Sequence, residues 1–208
     1  MITTIIFDIG GVLIPERGIT IKAIIARQIG VSPQTLDDAL TPYKRALTKG
    51  EITLKEAYER MQSVLGKAYA PEEIVARHVE AYHHLCTARD SRIIDIIERL
   101  KRKYKVVALT NTEQEIAAFN RQRRGEDGKT LYEYFDQAFL STEMRMKKPD
   151  AEIYQAVLRE MKCGAENALF IDDKQSYLDG ARSVGIQSIL YENPEQLQKE
   201  MKRLSISF

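Results

Sequence analysis

The chain has 208 residues, which is long enough to bury a substantial core and to form one domain with an insertion. Its 31 basic and 30 acidic residues nearly cancel, so net charge predicts neither a nucleic-acid nor a membrane partner. We see neither a long apolar membrane span nor a secretory signal, and therefore expect a cytoplasmic protein. Cys86 and Cys163 are expected to be free thiols.

The residue pattern in the first part of the chain predicts one strand that is followed only by helices. Residues Ile2–Phe7 are short, apolar and β-rich, and the strand pattern then stops until Val106. Four helical patterns fill the interval, each with a recognisable start or stop signal. They are a helix ending at Gly30, one starting at Ser32-Pro33, one from the Thr53/Glu56 capping box to Gly66, and one starting at Pro71. This regular block, residues 16–88, predicts an inserted helical bundle.

Strands and helices alternate in the rest of the chain. The predicted elements are a helix capped by Ser91, strand Val106–Leu109, helix Glu113–Phe119, strand Ala138–Leu140, helix Asp150–Met161, strand Ala168–Ile171, helix Leu178–Val184, strand Gln187–Leu190 and a helix capped by Asn193. Such alternation predicts an α/β fold, with a parallel sheet covered by helices on both faces. We interpret the basic segment Asn120–Thr130 as a solvated loop, because acidic residues dilute it and no aromatic residues interleave.

Polar residues follow successive strands or loops at four places. They are Asp8, Thr110-Asn111, Lys148-Pro149 and Asp172-Asp173. Ligands of parallel sheets bind beyond the carboxyl ends of the strands, where such residues meet. The sequence therefore predicts one assembled site, although each residue alone also fits an ordinary structural role.

The residue types favour phosphoryl chemistry at a metal. Asp8 suits a covalent nucleophile, or else a turn cap. Together with Asp172 and Asp173 it suits Mg²⁺, although Asp173 also suits a helix N-cap. Lys148 would neutralise a phosphoryl group and Thr110 would donate to it, whereas the alternatives are a solvated lysine and a plain strand-end threonine.

Four motifs in this order resemble those of the haloacid dehalogenase superfamily, whose members are mostly phosphatases. They are Phe7–Leu13, Leu109–Asn111, Lys147–Asp150 with Ile153-Tyr154, and Phe170–Asp173 with Gly180-Ala181 and Gly185. The resemblance implies a Rossmann-like, three-layer parallel sheet formed by residues 1–15 and 89–208. Residues 16–88 would be the all-helical cap that closes over small substrates.

The resemblance also implies roles for individual residues. Asp8 would attack phosphorus and become an aspartyl phosphate, which water hydrolyses. Mg²⁺ would be held by Asp8, the carbonyl of Gly10 and Asp172, with Asp173 as a further ligand. Thr110, Asn111 and Lys148 would bind the phosphoryl group of a small phosphorylated metabolite. Members that share the Asp-x-Gly pattern include bacterial sugar-phosphate phosphatases resembling glucose-1-phosphatase.

The chain departs from the family pattern at two positions. Gly10 replaces the usual second aspartate, which protonates the leaving group, and Ser176 replaces an acid of the fourth motif. Two other functions stay open. A 2-haloacid dehalogenase would use Asp8 to attack carbon without a metal, and a catalytically weak protein would only bind a phosphorylated ligand. The histidines of the insertion, His78, His83 and His84, are expected at a packed face (His78) and at a surface rather than on substrate.

Overall fold

The computed structural model describes residues 1–15, 20–85 and 88–207, so Cys86 and residue 16, where the predicted insertion begins, lie outside the described residues. Cys163 is a free thiol, as expected. The strands are β1 (Thr4–Phe7), β2 (Lys105–Thr110), β3 (Gln137–Leu140), β4 (Ala168–Asp172) and β5 (Gln187–Leu190). The helices are α1 (Ile21–Ile29), α2 (Pro33–Leu40), α3 (Lys44–Thr48), α4 (Leu54–Leu65), α5 (Pro71–Leu85), α6 (Ser91–Leu100), α7 (Gln114–Gln122), α8 (Ser141–Met144), α9 (Ala151–Glu160), α10 (Gln175–Ser183) and α11 (Pro194–Arg203).

The strands form one parallel sheet in the order β3-β2-β1-β4-β5. The central strand, β1, lies between β2 and β4, and its last residue, Phe7, pairs with Ala108 on one side and Ile171 on the other. The carboxyl ends of the three strands therefore meet at one edge of the sheet. The predicted α/β fold with a parallel sheet is confirmed.

Alternating strand residues build two cores, one on each face of the sheet. Ile5 and Phe7 pack on the side of α6 and α11, whereas Ile6 packs on the side of α9 and α10. Both faces of β1 are thus buried, which explains its continuous apolar sequence. The sheet and its two helical layers form the predicted three-layer, Rossmann-like arrangement.

Helices α1 to α5 pack around a separate apolar cluster that includes Ile25, Leu36, Leu54, Tyr58, Met61 and Ile74. Local capping signals set several of the helix ends as predicted. Gly30 ends α1 in the left-handed conformation at φ 77°, and Thr53 and Glu56 form a reciprocal capping box at α4. Among the described residues, no helix is long and apolar enough to span a membrane.

Some predicted boundaries are wrong. Asp90, not Ser91, caps α6, because its carboxylate accepts from the backbone N–H of Arg92 at 2.9 Å. The N-cap of α10 is Lys174, so Asp173 does not serve as that cap. The short helices α3 and α8 were not predicted, since a single turn carries no apolar periodicity.

The basic segment after residue 120 ends α7 and continues as a loop, in keeping with the interpretation above. Two of its basic side chains form ion pairs with acidic residues of the chain. Arg124 lies 3.1 Å from Glu133, and Lys129 lies 2.8 Å from Glu98.

Candidate active site

Three predicted site residues lie at the carboxyl edge of the sheet because of strand register. Asp8 follows the last residue of β1, Thr110 ends β2 and Asp172 ends β4. All three are buried, with exposures of 4%, 7% and 0%. Adjacent parallel strands therefore bring together side chains that are more than 60 residues apart in the sequence.

Lys148 lies between two of these carboxylates. Its ammonium Nζ is 2.8 Å from Asp8 Oδ1 and 2.7 Å from Asp172 Oδ2, and the side chain is fully buried. The ring centroids of Phe170 and Tyr177 lie 5.3 and 4.9 Å from Nζ. A cation at this depth requires paired counter-charges, which the two aspartates supply. The structure thus brings together the predicted nucleophile, the predicted lysine and a predicted metal ligand.

Burial dominates the electrostatics of the two aspartates. It raises the pKa of Asp8 from 3.8 to about 6, with Lys148 opposing the rise and Asp172 adding to it. Burial likewise raises the pKa of Asp172, against the lowering effect of Lys148. The backbone N–H of Ile9 donates to Asp8 Oδ1 at 2.7 Å and helps to hold the ionised form. One ammonium therefore leaves the pair short of positive charge, which favours a further cation.

A third carboxylate completes an acidic cluster suited to that cation. One oxygen each from Asp8, Asp172 and Asp173 lies within 4.8 Å of the others. Three hard oxygen donors fit Mg²⁺, which prefers carboxylates and water. Gly11 permits this arrangement, because a Cβ there would lie 2.3 Å from an Asp173 carboxylate oxygen. The carbonyl of Gly10 as a fourth ligand stays a prediction.

The side chain of Asn111 holds the backbone of Lys148. Its Oδ1 accepts from the Lys148 N–H at 3.0 Å, and its Nδ2 donates to the Lys148 carbonyl at 3.0 Å. Tyr177 Oη lies 3.3 Å from the same Nδ2. The predicted contact of Asn111 with substrate stays a prediction, while these bonds give it a role in positioning the lysine. The sequence reasoning missed Tyr177, whose side chain contacts Asn111 and Lys148, residues that are distant in the sequence.

Two cavities meet at the site and share a wall that contains Gly10, Thr110 and Asn111. The smaller, of about 380 Å³, also contains Asp8 and the three lysines Lys44, Lys147 and Lys174. The larger, of about 430 Å³, lies between the sheet domain and the helices α1 and α5. Lys148 lines neither cavity, and so its predicted phosphoryl contact stays a prediction.

Four polar contacts hold α3, α4, α5 and Gly50 against segments that follow β2 and β3. They are Leu54 N–H to Glu115 Oε1 at 2.9 Å, Gln114 Nε2 to the Gly50 carbonyl at 2.9 Å, Asn120 Nδ2 to Tyr82 Oη at 2.8 Å and Arg45 Nη2 to Asp150 Oδ2 at 2.6 Å. Of these, the bond between Asn120 and Tyr82 lies in the wall of the larger cavity, which α1 and α5 also line.

The remaining candidate residues lie outside both cavities. Burial lowers the pKa of His78 to about 4, and its Nδ1 lies 2.9 Å from Tyr58 Oη. His83 is half-buried and His84 is exposed, in keeping with the expectation for the histidines. Ser176 is exposed on α10, and none of these four residues lines the two cavities described above.

Comparison with known proteins agrees with the motifs. The chain is 24% identical over 204 residues to a D-ribitol-5-phosphate phosphatase of Bacteroides thetaiotaomicron, covering 97% of each protein. It is 26% identical over 184 residues to a sesquiterpene phosphatase of Aspergillus oryzae, covering 87% of this chain and 85% of that protein. A Bacteroides thetaiotaomicron haloacid dehalogenase family enzyme, solved with magnesium and inorganic phosphate, has the same fold (TM-score 0.78, 24% identity, covering 95% and 99%). The haloacid dehalogenase-like hydrolase model matches residues 2–185, and the chain belongs to that family.

Proposed function

We propose that this protein is a Mg²⁺-dependent phosphatase that hydrolyses small phosphate monoesters through an aspartyl phosphate on Asp8. The observation that carries the proposal is the buried Lys148, which joins Asp8 to Asp172 beside a third carboxylate. A nucleophilic carboxylate, a fixed cation and an acidic cluster are the parts that phosphoryl transfer requires. The names of two relatives, a ribitol-phosphate phosphatase and a sesquiterpene phosphatase, support the same reaction class.

In the proposed reaction, a carboxylate oxygen of Asp8 bonds to phosphorus while the ester P–O bond breaks, and the leaving oxygen takes a proton from water to depart as the alcohol. Water then adds to phosphorus, the acyl-phosphate P–O bond breaks, and Asp8 and inorganic phosphate are released. Lys148 holds the Asp8 carboxylate in place and offsets its charge, and Thr110 lies on the shared cavity wall, where it would donate to a phosphoryl oxygen. A Mg²⁺ ion held by Asp8, Asp172 and Asp173 would neutralise the phosphoryl charge.

Because residue 10 is glycine, this chain lacks the general acid that usually protonates the leaving group from that position. A Cβ at residue 10 would meet no atom within 4 Å, and the residue lines both cavities. Leaving oxygens of high pKa gain most from a general acid, which contributes about 10²–10⁴-fold. We therefore expect aryl, acyl and anomeric sugar phosphates to react faster than primary alkyl phosphates when substrate binding is otherwise equal.

A 2-haloacid dehalogenase is the alternative enzyme, with Asp8 attacking carbon. Its chemistry needs no metal, whereas Asp173 adds a third carboxylate that such a reaction does not use. The other alternative is a weakly active protein that only binds phosphorylated ligands.

We infer that residues 16–88 act as the cap over a small phosphorylated metabolite. We also infer that the protein is located in the cytosol.

The test is turnover of p-nitrophenyl phosphate and of 2-chloropropionate, each with Mg²⁺ and with chelator. We expect phosphate release that disappears in chelator and returns with Mg²⁺. Halide release, or phosphate release that chelator does not affect, would contradict the proposal. Binding of inorganic phosphate without turnover of any phosphate ester would favour the weakly active protein.

A further inference from the structure

The larger cavity changes character along its length. Its wall near Asp8 is shared with the smaller cavity and includes the polar residues Thr110, Asn111 and Lys174. Beyond that wall the lining formed by the described residues is mainly apolar, with Ile14, Ile21, Leu85, Ile116, Leu131 and the ring of Tyr82. A substrate whose phosphoryl group lies at Asp8 and whose leaving group enters this cavity would therefore place that leaving group in an apolar chamber.

Among the described residues, most polar side chains in the far part of the chamber have partners in the protein, whereas the buried Tyr132 Oη accepts and donates no hydrogen bond. Thr20 Oγ1 accepts from the Ala23 N–H at 3.2 Å. Asn120 Nδ2 donates to Tyr82 Oη at 2.8 Å, and Lys22 Nζ lies 3.1 Å from Asp37. Because these bonds stabilise the chain itself, they are not available to a row of substrate hydroxyls without a loss elsewhere.

We propose that the preferred substrates are phosphate monoesters whose leaving group is largely apolar, such as a branched alkyl, isoprenoid or aryl alcohol, rather than a polyol. This inference rests on the proposed function and narrows it to a substrate class. The cavity volume of about 430 Å³ lies within the range of pockets that hold small organic molecules. Apolar surface buried there is favoured, whereas a hydroxyl that enters loses water and finds few free partners.

The test compares kcat/KM for methyl, n-propyl and n-pentyl phosphate and for D-ribitol 5-phosphate, all with Mg²⁺. The alkyl alcohols have similar basicity, so their differences report binding in the transition state rather than leaving-group chemistry. We expect kcat/KM to rise about fourfold per methylene. D-ribitol 5-phosphate has the same five-carbon skeleton as n-pentyl phosphate, and we expect its kcat/KM to be at least about 100-fold lower.

Two variants locate the effect. Leu85→Ser should lower the ratio of n-pentyl to methyl phosphate turnover, and a ratio within one preparation does not depend on the folded fraction. Val64→Ser is the matched control, since Val64 is 66% exposed and lies outside the cavity, and it should keep the wild-type ratio. A flat alkyl series, an unchanged ratio in Leu85→Ser, or D-ribitol 5-phosphate at least as good as n-pentyl phosphate would overturn the inference. Failure to hydrolyse any of these esters or p-nitrophenyl phosphate would instead refute the proposed function.

Discussion

Replacing Asp8 by asparagine should make the stability of the metal-free protein, relative to wild type, rise with pH. Burial raises the pKa of Asp8 from 3.8 to about 6 in the folded protein, so the folded state holds a proton more tightly than the unfolded chain. The stability linked to that proton is fully present below pH 3.8 and is lost as the pH rises through about 6. Asparagine carries no ionisable proton and escapes this loss.

The magnitude follows from the two pKa values. The difference between 3.8 and about 6 corresponds to about 3 kcal/mol of penalty for the ionised carboxylate at pH 8. About 1.4 kcal/mol of that penalty develops between pH 5 and pH 8. The stability of Asp8→Asn relative to wild type should therefore increase by this amount over the same interval. In a protein of this size the increase corresponds to a change of about 3–6 °C in relative Tm.

The assay is urea and thermal unfolding of both proteins in chelator at pH 5, 6, 7 and 8. Taking the difference between variant and wild type cancels groups that titrate alike in both. Asp95→Asn is the matched control, because its side chain is 64% exposed, and it should change stability by less than about 1 kcal/mol at every pH. A difference between Asp8→Asn and wild type that stays constant from pH 5 to pH 8 would refute the assignment of burial as the dominant influence on Asp8.

Three further variants test other parts of the site. Lys148→Met should lower the free energy of unfolding of the metal-free protein by about 3–5 kcal/mol, measured by urea unfolding, because it leaves two buried carboxylates uncompensated. The control is Lys147→Met, at a half-buried position, which should lower the free energy of unfolding by less than about 1 kcal/mol. Gly11→Ala should raise the Mg²⁺ concentration for half-maximal rate about tenfold by displacing a carboxylate ligand. Gly30→Ala, at a similar positive φ with open space around it, should not alter that concentration. In wild type, the single-turnover rate should fall as the pKa of the leaving group rises. Gly10→Asp should fold and make this dependence less steep. A wild-type rate that does not depend on leaving-group pKa would contradict the significance assigned to Gly10.

Features set by neighbouring residues were predictable from the sequence. The helix end at Gly30 and the capping box at Thr53 depend on bonds within one turn of chain, and both appear as predicted. The parallel sheet was predictable because strands alternate with helices, and strand ends then specify where polar residues meet. The cap of α6 was assigned one residue late, because Asp90 and Ser91 are adjacent and both favour an N-cap.

Features that depend on distant segments were not predictable. The sequence indicates that Lys148 precedes a proline, but its burial depends on Phe170 and Tyr177 from two other elements. Asn111 follows a strand, as a substrate ligand would, yet both ends of its amide bind the backbone of Lys148. The apolar chamber likewise combines residues of the insertion and of the sheet domain, and no local pattern reports that combination.

The most direct test of the account is release of inorganic phosphate from p-nitrophenyl phosphate by wild type and by Asp8→Asn under single-turnover conditions with Mg²⁺. An amide cannot form the aspartyl phosphate, so we predict a rate lower by about 10⁴-fold or more in a variant that is folded by circular dichroism. Phosphate release by Asp8→Asn at the wild-type rate would contradict the assignment of Asp8 as the nucleophile, and with it the proposed mechanism.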